Sequence, residues 1–490
     1  MKIMKKTILI VVAVLLFVSV FAGCKTTKPS EESNVSETSG SNLIVKDMNK
    51  RAFKVFCWDF GYGSKSILGY TGEVISNSVE EKPALLDEAK ARVIAKVEEE
   101  YNCTVSGTVY GGIRADFTNT IKNMVLTGTN EYDMIFDAYS YLAPLVTENI
   151  LLDLNTISTI DFENEWWDQN ARKELSIFNK LFFMCGDINT YDNDGTWCML
   201  FNKTLLENLS LNIDPYQLVK DDEWYFDKFV EICRSGITTD SDGNGVLDEF
   251  DTWAFGTETY NMYVHVLSSG NKIVTKDIHD VPEFTVQNES TYSALDKIVD
   301  FYTDYSTVMV ANAPPYTGKG YPNVWEATVH KAFIEGRQLF YMCGLINVPS
   351  FRQMDDDFGI LPIPKLNKGQ EFYYHTVSTG NMTALCVPQS VIAADDVGII
   401  IEALGKYSMD ILSPAYYDVQ LKYRDTRDEE SSEMLDIIFA TRTFDIGAAF
   451  NWGGTLGEYT KMDKNFVSRF DSIMSAAEAA LDETLSKIAD

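Results

Sequence analysis

Between Ala52 and Phe136 the chain alternates strand-type and helix-type segments, and this constrains the fold more than any other feature of the sequence. Ala52–Trp58 (AFKVFCW) is apolar and aromatic enough for a buried strand, and the Gly-broken loop Asp59-Phe60-Gly61-Tyr62-Gly63 follows it. Leu86, Ala89, Val93 and Val97 then recur at helical spacing with charges between them, which predicts an amphipathic helix. A strand at Thr104–Tyr110, a helix around Asn119–Leu126 with Ile121, Met124 and Val125 on one face, and a strand at Tyr132–Phe136 complete the run. Strands separated by crossover helices pair in parallel, so the expectation is a βαβ, mostly parallel sheet. A second alternation spans about Trp166 to Pro364, and from about Ala393 onward the chain is mainly helical. At 490 residues with 45% hydrophobic content it holds enough apolar surface for more than one domain.

The start of the chain stands outside this pattern. Lys2, Lys5 and Lys6 precede an apolar run from Ile8 to Ala22 that is too short for a bilayer span and ends at Phe21-Ala22-Gly23-Cys24. Small residues before a cysteine resemble a bacterial lipobox, which makes 1–23 a lipoprotein signal peptide and Cys24 the lipidated first residue. An uncleaved anchor with an incidental cysteine is the alternative. Residues 24–50 are rich in Ser, Thr and Glu, which cannot repay ordering entropy by burial, and read as a flexible tether. The expected location is therefore the outer face of the cell membrane. The net charge of −31 and pI near 4.5 would repel a nucleic-acid backbone, so nucleic-acid binding is ruled down first. The cysteines other than Cys24 form no CxxC pair and sit mostly in apolar runs, so buried thiols are expected rather than a disulfide framework or a zinc site.

A set of short segments, in this order, carries a resemblance: Glu100-Tyr101-Asn102; Glu131-Tyr132-Asp133-Met134-Ile135-Phe136; Leu151-Leu152-Asp153-Leu154; Leu200-Phe201-Asn202-Lys203-Thr204-Leu205-Leu206; Trp224-Tyr225-Phe226-Asp227-Lys228-Phe229; Lys331-Ala332-Phe333-Ile334-Glu335-Gly336-Arg337; and Asp357-Phe358-Gly359-Ile360-Leu361-Pro362-Ile363-Pro364-Lys365. Over nearly its whole length the chain resembles the carbohydrate-binding extracellular solute-binding proteins of ABC transporters, the group related to maltose-binding protein. The resemblance implies an α/β, two-lobe periplasmic-binding-protein-like fold of class II, with lobes joined by hinge strands and a mainly helical C-terminal part. Mapped onto this chain, the N-terminal lobe holds 51–158 plus 368–415 and the C-terminal lobe 159–367 plus 416–490. It also implies a monomer that closes by hinge motion over a solute and presents the closed form to the transmembrane subunits of a permease.

The most specific local motif is Asp240-Ser241-Asp242-Gly243-Asn244-Gly245-Val246-Leu247-Asp248-Glu249-Phe250-Asp251. Its oxygen side chains and central glycine follow the pattern of an EF-hand calcium loop, with Asp240, Asp242, Asn244, Asp248 and Asp251 as side-chain ligands and Val246 offering its carbonyl. Asp251 stands where such loops carry a longer Glu, so a weak structural calcium is expected, with an ion-free acidic turn as the alternative. The second signal is aromatic, because sugars offer C–H faces to rings and hydroxyls to polar side chains. Aromatic and polar residues meet at predicted strand ends and loops in Trp58, Asp59 and Tyr62; Asp137, Tyr139 and Ser140; Trp167; Tyr191; Trp197; Trp325; and Trp452. Any one of these rings can equally be core. By analogy with the family, the loop after the strand ending at Phe136 favours Asp137 and Ser140, and the segment 340–347 marks a further contact, with Asn347 its nearest polar candidate.

No HExxH, GxSxG or P-loop pattern occurs, and the four histidines are scattered, so no catalytic residue is expected and no catalytic cofactor. The expected function is a lipid-anchored receptor of a carbohydrate importer. A surface-anchored glycan-active hydrolase, or the same receptor with a non-sugar cargo such as a peptide, are the rivals.

Overall fold

The computed structural model describes residues 43–59, 85–421 and 429–489. The expected alternation is present as β1 (Ala52–Trp58), α1 (Leu85–Tyr101), β2 (Thr104–Tyr110), α2 (Arg114–Thr127) and β3 (Met134–Asp137), with α3 (Tyr139–Thr147) after it. β1 lies between β2 and β3 and runs parallel to both. In β2, Gly107 stands opposite Val55, and a Cβ there would lie 1.9 Å from the Val55 carbonyl oxygen, so this position demands glycine. The stripe Leu86, Ala89, Val93 and Val97 is buried as the spacing predicts. α2 begins at Arg114, earlier than the periodicity indicates, and buries Phe117, Ile121 and Met124 while Val125 stays only partly covered. Its start is invisible in sequence because Ile113 occupies the N-cap and makes no side-chain cap.

A second sheet is built from β4 (Trp197–Asn202), β5 (Trp253–Thr257), β6 (Val308–Val310), β7 (Gln338–Gly344) and β8 (Phe358–Leu361), in the order β8-β4-β7-β5-β6. β5 runs parallel to β6 and β7, whereas β4 is antiparallel to β7 and β8. β4, β5, β6 and β7 are buried along their whole length, which is why they read as apolar runs rather than alternating patterns. A late strand, β9 (Ala384–Cys386), returns to the first sheet and pairs antiparallel with β3. The chain thus runs between the sheets along two antiparallel segments: Met184 bridges Leu385, Thr196 bridges Val377, and the Ser378 amide donates to the Gly195 carbonyl at 2.8 Å.

The C-terminal part is helical, as expected. A long helix (Ala394–Leu421) packs on α1, Glu429–Ala440 packs on β8, and Ile446–Phe450 and Phe466–Ala489 pack on α3. The tail therefore touches elements flanking both sheets. One expectation needs correction: the tether does not extend to residue 50. Met48 is buried, its amide donates to the Tyr101 carbonyl and that of Lys50 to Asn102, so Leu43–Lys50 is packed against the end of α1. The signal segment, Cys24 and Tyr62 lie outside the described residues. The seven described cysteines are buried, and no disulfide joins any of them. Among the described residues no helix is long and apolar enough to cross a membrane.

Candidate functional site

A cavity of about 710 Å³ opens where the second sheet meets the segments that connect the two sheets. It lies beyond the carboxyl ends of the parallel strands β5 and β7, the place where open α/β sheets collect ligands. Glu258 and Tyr260 follow the end of β5, while Cys343 and Gly344 end β7, and Ile346, Asn347 and Ser350 come from the turn after it. Asp194, Gly195 and Trp197 enter from the start of β4, Asn323, Trp325, Glu326 and His330 from a separate segment, and Ser378–Asn381 from the returning connection.

Aromatic faces and polar atoms alternate on this wall. The Trp197 ring leans on Tyr260 with centroids 5.6 Å apart, and Trp325 lies 4.3 Å from His330. His330 has its Nε2 3.4 Å from the Ser350 hydroxyl, and burial pushes its imidazole down to about 4, so it is neutral at physiological pH. Asn347 donates to the Gly344 carbonyl at 3.3 Å and keeps part of its surface open. Glu258 is stripped of most of its solvation by the surrounding protein, lines the cavity, and has its carboxyl pushed up to about 7 by that burial.

Of the residues picked out in sequence, Trp197, Trp325 and Asn347 line this cavity. Ser140 is not among the residues that line it; its backbone amide donates to the carbonyl of the lining residue Thr379 at 3.2 Å. Trp58, Asp59 and Asp137 sit together at the carboxyl end of the first sheet. There the Arg114 guanidinium lies 4.0 Å over the Trp58 ring and 3.7 Å over Tyr141, and pairs with Asp137 at 2.5 Å. Burial raises the Asp137 carboxyl to about 6 against the pull of Arg114. The remaining rings are packing residues in this structure. Tyr139 is fully buried and donates to the Val377 carbonyl, Tyr191 is fully buried, and Trp167 donates to Glu402 at 2.7 Å in the core. Trp452 stacks on Phe450 and donates to Thr484, beside the last helix and away from the cavity. Large rings bury 150–250 Å² each, roughly, and the interior claims them unless a loop holds them out. Sequence reasoning missed Glu258, Tyr260, His330 and Ser378–Asn381. The polar-aromatic step Glu258–Tyr260 after an apolar strand is the same signal that selected Trp58-Asp59 and was there to be read.

Of the ligands expected in the acidic loop, three carboxylates come together, while the Asp248 carboxylate instead accepts from the Phe250 amide. Carboxylate oxygens of Asp240, Asp242 and Asp251 lie within 4.8 Å of one another. The Asp240 carboxylate accepts from the amides of Gly245, Gly243 and Asn244, which hold it below its ordinary range. Asp251 is buried and accepts from the amides of Ser241 and Asp248, and the Asn244 side-chain oxygen accepts from Val246. An all-oxygen set converging on one point is the donor chemistry of a hard divalent cation, so the residues fit calcium.

No family model and no curated protein matches the sequence. The fold, by contrast, is that of the maltose- and maltodextrin-binding substrate-binding proteins of ABC transporters. The chain is similar to the maltose/maltodextrin-binding domain MalE from Bdellovibrio bacteriovorus bound to maltotriose, at 14% identity and a TM-score of 0.51, covering 90% of this chain and all of that one. It is similar to MalE from Listeria monocytogenes in complex with maltose, at 12% identity and a TM-score of 0.54, with 90% and 98% covered. UspC of M. tuberculosis aligns at 15% identity with a TM-score of 0.56, over 88% of this chain and all of that one.

Proposed function

We propose that this chain is a non-enzymatic receptor that captures a sugar or oligosaccharide in the cavity where its second sheet meets the connecting segments and delivers it to an ABC permease by hinge closure. The observation that carries this reading is the wall of Trp197, Trp325 and Tyr260 interleaved with Asn323, Asn347, Ser378 and Asn381, rings for C–H faces beside amides and hydroxyls for sugar hydroxyls. The paired connections at Met184–Thr196 and Val377–Leu385 are the place where the sheets would pivot. Closure follows only if the ligand binds the closed form better than the open one. Solved proteins of the same fold that hold maltose and maltotriose support the sugar as cargo. We further read Cys24 as a lipidated residue that tethers the receptor outside the cell, and the loop Asp240–Asp251 as a structural calcium site. A thermal-shift array of mono- and oligosaccharides, with product analysis of the same mixtures, tests the reading. Stabilisation by a sugar that is recovered unchanged is expected. Turnover of the sugar, or a shift with peptides and none with sugars, would overturn it.

A further inference from the structure

We propose that the cavity selects a positively charged, amine-bearing sugar, whose ammonium group pairs with Glu258. The inference rests on the cavity being a carbohydrate site and adds the charge of the ligand.

Buried acids elsewhere in the fold carry built-in partners. Asp137 has Arg114, Asp168 and Asp192 share Arg442, and Glu249 has Lys319 and Tyr321. Glu402 accepts from Trp167 and Asn164, and Asp445 from the amides of Ile273 and Gly447. Glu258 is different: among the described residues no cation and no hydrogen-bond donor reaches its carboxyl, and it lines the cavity. What faces it is acidic or uncharged. Tyr341 and Cys343 of β7 stand beside it, Tyr260 follows it on its own segment, Glu326 and His330 share the lining, and Asp194 contributes a third acid to it. No lysine or arginine is among the described residues that line the cavity, and His330 is held neutral. A desolvated carboxyl in such surroundings is costly to ionise until a cation is brought to it, and the same surroundings repel a uronate or a sugar phosphate. The faces of Trp197, Trp325 and Tyr260 add attraction for an ammonium group and none for a carboxylate.

The experiment is calorimetric titration of the purified protein at neutral pH and low salt. Its ligands are glucosamine and its short oligomers, their N-acetylated counterparts of identical linkage, glucose, maltotriose and glucuronate. An amine-bearing sugar is expected to bind about 30-fold or more tightly than its acetylated twin, the scale of a desolvated charge pair. Glu258→Gln should bring that ratio close to one. Equal affinity for the twins, or glucuronate binding as well as glucosamine, would overturn the charge assignment while leaving the sugar reading intact. Failure of every sugar to bind would remove both. Should Glu258→Gln fail to fold, judged by its far-UV circular dichroism, the ratio measured on the natural protein decides alone.

Discussion

Replacing Glu258 by Gln in the ligand-free protein should change how stability depends on pH, by an amount that follows from the site. The carboxyl titrates at its ordinary 4.5 in the unfolded chain and at about 7 in the folded protein, because burial penalises its charged form. Across that interval the folded state holds the proton more strongly. The stability tied to this group is therefore fully present below the unfolded value and is lost as pH rises through the folded one. At 1.36 kcal/mol for each tenfold change in proton affinity, the loss on reaching a pH of about 8 is roughly 3 kcal/mol. Glutamine has no proton to lose, so the variant should match the natural protein near pH 4 and exceed it by about 3 kcal/mol near pH 8. With an unfolding entropy of about 2.1 cal/mol/K per residue over a chain of this length, that is a gap of about 3 °C in melting temperature. Asp137 and Glu402 are also raised by burial, to about 6 and about 7, but they are common to both proteins and cancel in the difference. Scanning calorimetry of the two proteins across this range is the assay. A gap that stays constant with pH would refute the claim that Glu258 is desolvated in the empty cavity.

Other perturbations have equally definite outcomes. Arg442 is largely covered and pairs with Asp168 at 2.6 Å and Asp192 at 3.2 Å, so Arg442→Met removes the cation that two buried acids share and should cost about 3–5 kcal/mol in urea unfolding. Gly107→Ala drives a Cβ into the Val55 carbonyl and should destabilise by about 1–3 kcal/mol, measured the same way; a neutral result would mean that β1 and β2 are not in this register. Chelation of divalent ions should lower the melting temperature of the natural protein and leave Asp240→Ala insensitive, and an unchanged melting curve for the natural protein counts against a bound ion. Trp325 is only partly buried, so Trp325→Ala should fold normally yet weaken the best sugar about tenfold or more by calorimetry.

Much of the fold is written in local pattern. The helical spacing of Leu86, Ala89, Val93 and Val97, the apolar strands and the mainly helical end could all be read directly, because burial of one face imposes a period that needs no knowledge of the partner. The acidic loop was legible for a related reason: its donors lie within one short stretch, so spacing alone brings Asp240, Asp242 and Asp251 together. The cavity was legible only in part. Trp197, Trp325 and Asn347 stood out as aromatic or polar residues in plausible places, but Trp167, Tyr191 and Trp452 looked the same in sequence and were claimed by the core. Whether a ring faces a ligand or a neighbouring helix is settled by what packs beside it, and local pattern does not contain that.

The sequence by itself determined the elements and the acidic loop, both of which depend on neighbours along the chain. Only the tertiary structure decided the site. It brought Glu258 from the end of one strand, Trp325 and His330 from a second segment and Ser378–Asn381 from a third to the wall of one cavity. Among the described residues it brought no counter-charge to Glu258. A carboxylate's partner is a matter of distance in space, which neighbours along the chain do not fix.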